Sequence, residues 1–286
     1  MSSSRFDLIH SYVWGPAPFI SKEGNKYNVL FVDDCTHFTW VYFMNHRSQL
    51  LTIYRTFAAM VRTQLCATIK IFRSDLGGEY TSHAFCSFFS YDGTLSQLSF
   101  PGAHAQNGVV ECKHRHLLET IHAILLGSFI PPHFWADAIS TAVYLINMQP
   151  SSLLHDRIPG ECMYGSPPHY DHLRVFGCCC YVLLPPWEDT KLTTQFSLCL
   201  FLGYSLEHKG YRCYDPVVRR VRISRDVTFD KSTPFYASPH PLRHHLILSI
   251  FPSFSLILVM RSLHPQIPLL GSLHLRLCNM YKIPFF

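Results

Sequence analysis

The sequence is poor in charged residues, and its last part contains no acidic ones. Charged residues make up 15% of the 286-residue chain, and residues 231–286 contain no Asp or Glu. This segment is rich in Leu, Pro, Ser and His, and its longest apolar run, residues 246–260, is interrupted by Pro252 and three serines. So short and broken a run argues against a membrane span. We interpret residues 237–286 as a tail that is either disordered or translated out of frame, and we assign it no function.

Two further absences concern metal-binding cysteines and targeting signals. None of the 11 cysteines has a second cysteine at the two-residue gap of a zinc knuckle, so we expect no structural zinc site. The first residues lack the apolar core of a signal peptide. We therefore expect mostly reduced thiols and a cytoplasmic or nuclear location, although no dense Lys/Arg run marks an import signal. A net charge of +5 permits a polyanionic partner without requiring one.

The order of apolar patterns predicts an α/β chain with two domains. A 48% hydrophobic composition is enough for a buried core. Three extended runs are followed by helix, strand, helix, strand and a long helix at about residues 109–126, which predicts a mixed sheet with helices on its faces. After about residue 166 the pattern changes to short β runs separated by turns, which predicts a small antiparallel barrel or sheet. We divide the chain into a core (1–150), a linker (151–171) and a small β domain (172–236).

Two acidic residues are spaced as metal ligands could be. Asp75 ends a predicted strand, and Glu111 lies on the first turn of the long helix. Positions 76 to 110, which is 35 residues, separate them. Phosphodiester transfer with two divalent metals requires carboxylates that converge on one point, and Mg²⁺ prefers such oxygen ligands. Taken singly, each acid is better explained as a solvated surface group. The motifs around the two acids are what favour the metal-ligand interpretation.

Those motifs resemble the integrase segment of copia-type LTR retrotransposon polyproteins, particularly those of plants. The chain reads HSYVWGP at residues 10–16, RSDLGGE at residues 73–79 and QNGVVECKHRH at residues 106–116. Similar stretches continue through the second half, and the resemblance covers about Phe6 to Tyr236. It implies a ribonuclease-H-like integrase core, a mixed five-stranded sheet with flanking helices, followed by a small β-barrel-like domain similar to Src-homology-3 domains.

The resemblance also implies a function, and one residue departs from it. Family members integrate DNA by two-metal strand transfer, which makes Asp75 and Glu111 the expected catalytic residues and ligands of Mg²⁺ or Mn²⁺. The expected partners are DNA, both element ends and target, and other copies of the chain, with no small-molecule substrate. Tyr12 stands where the family has its first catalytic Asp. A neutral phenol is a poor Mg²⁺ ligand, so we expect weak metal binding and an inactive enzyme.

Other acids offer little prospect of replacing the missing carboxylate. Asp7 is an odd number of residues from Tyr12, which puts it on the opposite face of a strand. Asp33 and Asp34 lie in the predicted hairpin turn, where the sequence alone does not connect them to the site.

The expected nucleic-acid contacts flank Glu111. Gln106 and Asn107 lie in the preceding loop, and Lys113 and Arg115 follow on the helix, where they could neutralise phosphates. A solvated basic helix face explains the two cations equally well. Neighbouring His114 falls on the apolar stripe and is better read as a packed histidine. Besides an integrase, the chain could be a non-catalytic nucleic-acid-binding remnant or a degenerate open reading frame.

Overall fold

The computed structural model of the chain describes residues 2–99, 108–188, 195–205 and 208–236. The predicted tail at 237–286 and most of the loop before the long helix therefore lie outside the described residues.

The first five strands form one mixed sheet. They are β1 (Leu8–Trp14), β2 (Tyr27–Asp33), β3 (Thr39–Met44), β4 (Ile71–Ser74) and β5 (Leu95–Leu98). The order across the sheet is β3-β2-β1-β4-β5. The first three strands are antiparallel neighbours, whereas β4 runs parallel to both β1 and β5. This order and these directions are those of the ribonuclease-H-like fold, so the expected mixed five-stranded sheet is confirmed.

Helices cover both faces of this sheet. They are α1 (Leu50–Gln64), α2 (His83–Asp92), α3 (Gly108–Ser128), α4 (Trp135–Asn147) and the short α5 (Pro159–Tyr164). Side chains alternate along β1 because successive residues of a strand point to opposite faces. Ile9 and Val13 pack in the aromatic cluster beneath α1 and α2, while Trp14 packs in the cluster that contains α3 and α4. Tyr12, an even-numbered residue of β1, therefore faces α3.

The second domain is a five-stranded antiparallel sheet. Its strands are β6 (Cys178–Leu183), β7 (Phe196–Tyr204), β8 (Tyr211–Asp215), β9 (Arg220–Ser224) and β10 (Val227–Pro234). The order is β10-β6-β7-β8-β9, and each neighbouring pair is antiparallel. Cys180, Cys199, Phe201 and Cys213 are buried in its interior. The predicted small β domain is present. Strand β10 was not foreseen, because its sequence is largely polar.

Helix α4 joins the two domains. Ten of its thirteen residues are buried. Its apolar side chains share one hydrophobic cluster with Phe176, Leu200 and Leu202 of the second domain. The Thr141 hydroxyl also donates a hydrogen bond to the Leu202 carbonyl oxygen at 3.2 Å. Because a common apolar cluster contains residues of both domains, the second domain is packed against the core.

Across the described ranges, every helix is too short or too polar to cross a membrane.

Candidate functional site

The register of the central strands brings Tyr12 beside Asp75. Strands β1 and β4 are parallel, with His10 opposite Arg73. Tyr12 and Asp75 each follow this last pair by two residues, and the charge of Asp75 acts on the Tyr12 phenol. Asp75 is half-buried just past the end of β4, and its Oδ1 accepts a hydrogen bond from the Gly77 amide at 3.1 Å. The short glycine turn therefore fixes the carboxylate at the strand end.

Helix α3 brings Glu111 to the same strand end. The His114 ring lies 4.9 Å from the Tyr12 ring, measured between ring centroids. Residues three apart on a helix share a face, so Glu111 lies one turn before the ring that covers Tyr12. The Glu111 side chain is on the exposed side of this contact. Asp75, just after β4, and Glu111, on α3, therefore both lie within electrostatic range of Tyr12 on β1. Their joint role as metal ligands remains a prediction from the motif spacing.

The electrostatics of Tyr12 reflect both carboxylates. Burial raises the pKa of the Tyr12 phenol above its ordinary value, and the negative charges of Asp75 and Glu111 raise it further, while Arg47 acts in the opposite direction. The pKa of Asp75 is also raised, mainly by burial and then by Glu79, against the hydrogen bond from Gly77. A phenol with a raised pKa stays neutral at physiological pH and contributes no charge to a metal site.

Arg47 is a member of this site that the sequence did not reveal. Its Nη1 lies 2.8 Å from Glu79 Oε1, and its Nη2 donates to the Gly15 carbonyl oxygen at 3.0 Å. Gly15 has a φ of 124°, and a Cβ there would lie 2.7 Å from the Lys26 carbonyl oxygen. Glycine is therefore required in this turn. Arg47 follows β3 in a stretch without motif or periodicity, so no signal in the sequence marked it.

The other acids near β1 are engaged elsewhere. Asp7 pairs with Lys70 at 2.6 Å. Asp33 is buried and accepts hydrogen bonds from the Phe6 and Thr36 amides. Asp34 Oδ1 lies 3.0 Å from His10 Nε2.

Distance along the strand also separates these acids from the site. Asp33 pairs with Ile9, three residues before Tyr12, which corresponds to about 10 Å along the strand. Neither it nor Asp34, the next residue, is placed to replace the carboxylate that Tyr12 lacks.

The cations expected to contact nucleic acid differ in their surroundings. Arg115 is exposed. Lys113 is half-buried and borders a small gap lined by apolar side chains of the core, among them Leu30, Leu117 and Ile146. Burial lowers the pKa of its amine to about 8. The other two expected contacts, Gln106 and Asn107, lie outside the described residues.

The arginines of the second domain form ion pairs within the domain. Arg222 Nε lies 2.8 Å from Asp215 Oδ2, and Arg222 Nη1 lies 2.8 Å from Glu188 Oε2. Arg220 pairs with Glu188 as well. Arg219 and Arg225 are exposed. Of these four arginines, two therefore form ion pairs within the domain and two are exposed.

The arrangement does not fit a two-metal centre. Within the ranges that the structure describes, no group of three or more His, Cys, Asp or Glu side chains is arranged to hold a metal ion. The carboxylates near this point are Asp75 and Glu111, and the phenol ring of Tyr12 lies beside them, packed on the His114 ring.

Known proteins match both halves of the chain. The family described as the retroviral polymerase SH3-like domain matches residues 178–242. The retrovirus-related Pol polyprotein from transposon TNT 1-94 of Nicotiana tabacum is 39% identical over 226 residues, which is 79% of this chain. The corresponding polyproteins from transposons RE1 and RE2 of Arabidopsis thaliana are 38% and 36% identical over 81% and 80% of the chain. The chain spans only 16–17% of the length of these relatives.

A solved structure is also similar to part of this chain. It is the HTLV-2 integrase catalytic core domain in complex with magnesium, in a trimeric form. The alignment covers 57% of this chain and all of that chain, with 15% identity and a TM-score of 0.44.

A ribonuclease-H-like core joined to an SH3-like domain, together with these relatives, defines the integrase-derived region of a retrovirus-related Pol polyprotein. The chain belongs to the copia-type retrotransposon polyproteins, among which it is similar to those of plants.

Proposed function

We propose that this chain is an integrase-derived nucleic-acid-binding protein whose strand-transfer chemistry is disabled by Tyr12. The observation that carries the proposal is the position of the Tyr12 phenol, beside Asp75 and within the electrostatic reach of Glu111. In an active integrase of this family, divalent metals held by three carboxylates would activate the attacking oxygen and stabilise the leaving one. Here the third ligand is neutral, so Asp75 and Glu111 alone would hold any ion.

The size of the expected loss follows from what the metals contribute. Two metals act on both oxygens of an in-line displacement, so losing one of their shared ligands affects both. We expect a loss of several orders of magnitude in rate, which is on the order of 4 kcal/mol or more in activation free energy. Asp7, Asp33 and Asp34 are held by other partners, and Glu79 is paired with Arg47, so we expect none of these four acids to offset the loss.

Binding of nucleic acid requires only the fold and its cations. A protein gains affinity by neutralising phosphates and releasing their counterions, which needs no metal. Arg115, exposed on α3 four residues after Glu111, is the residue best placed to contact the backbone near the site. Lys113 contributes less in this proposal, because its amine is half-buried among apolar side chains. DNA is the proposed partner, and self-association of the chain accompanies it.

The first experiment compares the chain as it stands with Tyr12→Asp in DNA cleavage and strand-transfer assays containing Mg²⁺ or Mn²⁺. We expect the original chain to be silent and Tyr12→Asp to gain activity that Asp75→Asn removes. Thermal unfolding in the same buffers provides a second readout. Mg²⁺ should raise the melting temperature of Tyr12→Asp and leave that of the original chain unchanged, because a ligand stabilises only a fold that binds it. Activity in the original chain that Asp75→Asn abolishes would refute the claim of inactivity.

A salt titration tests the binding half of the proposal. Arg115→Gln should weaken binding to duplexes of unrelated sequence alike and reduce the slope of log affinity against log salt by about 1. The matched control is Arg55→Gln, since Arg55 lies on α1 with its guanidinium over the Phe88 ring, on the other face of the sheet. If both variants keep the original affinity and slope, α3 is not the nucleic-acid-binding surface.

A further inference from the structure

A second candidate site lies at the opposite end of the central strands. An open cleft of about 530 Å³ is lined by three cysteines and two arginines, among other residues: Cys35, Cys66, Cys162, Arg5 and Arg157. Its walls come from the segment before β1, the β2–β3 turn, the end of α1 and the α5 region. Tyr12 and Asp75 lie towards the C-terminal end of β1, so this cleft is separate from the candidate integrase site.

Three thiols from three different elements meet in this cleft, and they differ in accessibility. Cys66 is exposed, whereas Cys35 and Cys162 are half-buried. Burial, followed by the negative charges of Asp33 and Asp34, raises the pKa of the Cys35 thiol. Because a nucleophilic thiol must be reachable by its substrate, the exposure of Cys66 favours it as the reactive residue, and the raised pKa of Cys35 disfavours that thiol. The backbone φ of Cys66 is 49°, in the left-handed region where glycine is favoured after the end of a helix. Helix termination therefore does not explain a cysteine at this position.

Two guanidinium groups line the cleft and could pair with an anionic ligand. Arg5 and Arg157 are both exposed on its rim. Arg5 donates a hydrogen bond to the Met163 carbonyl oxygen, which holds it at the cleft. In the part of the chain that the structure describes, neither arginine has a carboxylate partner. The volume is in the range of small-molecule sites, which run from about 300 to 1,000 Å³.

We propose that this cleft binds the disulfide form of an anionic low-molecular-weight thiol, of which oxidised glutathione is the probe, and that Cys66 is the residue modified. The Cys66 thiolate attacks one sulfur of the bound disulfide and forms a mixed disulfide with it. The sulfur–sulfur bond of the ligand breaks, and the released thiolate takes a proton from water. No outside oxidant is required, because the ligand's disulfide is the group that is reduced. Arg5 and Arg157 pair with the ligand's carboxylates.

The test compares two disulfides on the reduced full chain: oxidised glutathione and the uncharged bis(2-hydroxyethyl) disulfide. Peptide mapping by mass spectrometry gives the rate of adduct formation at each cysteine. Cys86 is the matched control, because it is exposed on α2 and does not line the cleft. The ratio of the adduct-formation rate with oxidised glutathione to the rate with the uncharged disulfide should be about fivefold higher at Cys66 than at Cys86, as expected for a charge pair near a protein surface. This ratio at Cys66 should fall with added salt.

Arg157→Gln separates recognition of the anion from simple exposure of the thiol. We expect it to bring the ratio at Cys66 down to that at Cys86, without changing the Cys86 ratio or the melting temperature. The proposal is overturned if Cys66 shows no preference for the charged reagent, or if Arg157→Gln leaves that preference intact. It is also overturned if Cys66 instead forms an internal disulfide with Cys35 or Cys162, because the cleft would then be a redox pair and not a ligand site.

Discussion

Gly203→Ala tests whether the two domains form one packed unit. Gly203 lies on β7 with a φ of 116°, and a Cβ added there would lie 2.2 Å from Thr141 Oγ1 on α4. The backbone strain costs about 1–3 kcal/mol, and forcing a methyl into a filled interface costs about 1–3 kcal/mol more. We therefore expect Gly203→Ala to lower the free energy of unfolding by about 4 kcal/mol and the melting temperature by roughly 10 °C.

Two further variants separate the strain from the clash. Gly24 also has a positive φ, 89°, but a Cβ there would meet nothing within 4 Å. Gly24→Ala therefore carries strain alone and should cost about 1–2 kcal/mol. Thr141→Ala removes the atom that the new methyl would strike and loses one buried hydrogen bond, worth about 1 kcal/mol. In the Thr141→Ala background, Gly203→Ala should cost about 2 kcal/mol less than it does in the original chain.

Urea denaturation, followed by circular dichroism and by tryptophan fluorescence, supplies these energies and a check on cooperativity. The two signals should change together in the original chain, because Leu200 and Leu202 belong to the same apolar cluster as α4. A clash between residue 203 and Thr141 is refuted if Gly203→Ala lowers the free energy of unfolding no more than Gly24→Ala does. It is also refuted if the effects of Gly203→Ala and Thr141→Ala simply add in the double variant. A separate unfolding transition of the second domain in the original chain would show that the two domains are not one packed unit.

Two other predictions concern titrating groups. Burial raises the pKa of Asp137 to about 6 despite Arg212 at 3.0 Å, so the folded state holds this proton to a higher pH than the unfolded state does. The free energy of unfolding should then fall by up to about 3 kcal/mol between pH 4 and 6 and level off above pH 6. Urea titrations of Asp137→Asn should no longer show this decline. If the variant keeps the same decline, Asp137 is not the titrating group. Burial also raises the pKa of Cys199 to about 12. Iodoacetamide should therefore alkylate the exposed Cys86 and Cys112 in the folded chain, and Cys199 only after unfolding in urea. Rapid labelling of Cys199 in the folded chain would disprove this prediction.

The pattern of apolar residues in the sequence was enough to predict those strands in which apolar residues alternate with polar ones or are continuous. Strand β2 is apolar along nearly its whole length, and it lies in the middle of the core. The long helix predicted at 109–126 is α3, at Gly108–Ser128. Strand β10 escaped prediction because its residues Asp230 to Thr233 are polar, and it is held by main-chain pairing with β6. Such pairing depends on the partner strand and leaves no pattern in the edge strand itself.

The junction between the domains could not be predicted from the sequence. Phe176, Leu200 and Leu202 are apolar residues that any core would bury, and nothing in their spacing indicates that they pack on α4. The ion pairs of Arg212 with Glu23 and Asp137 also join residues distant in the chain. For the same reason Arg47 was missed at the candidate site, since its contacts with Glu79 and Gly15 exist only after the sheet has formed.

Packing offers a physical reason for the proposed replacement of a carboxylate by Tyr12. Three carboxylates that converge without a metal repel one another, which raises the pKa of at least one of them and destabilises the fold. Tyr12 removes one of these charges and adds a ring that packs against His114, whose own pKa is lowered to about 4 by burial and which is therefore neutral. Aromatic contacts of this kind contribute about 0.5–1.5 kcal/mol beyond the area they bury. Where no metal has to be held, tyrosine at this position therefore favours the folded state. Tyr12→Asp should lower the melting temperature in metal-free buffer, although it supplies the carboxylate that the proposed metal site requires.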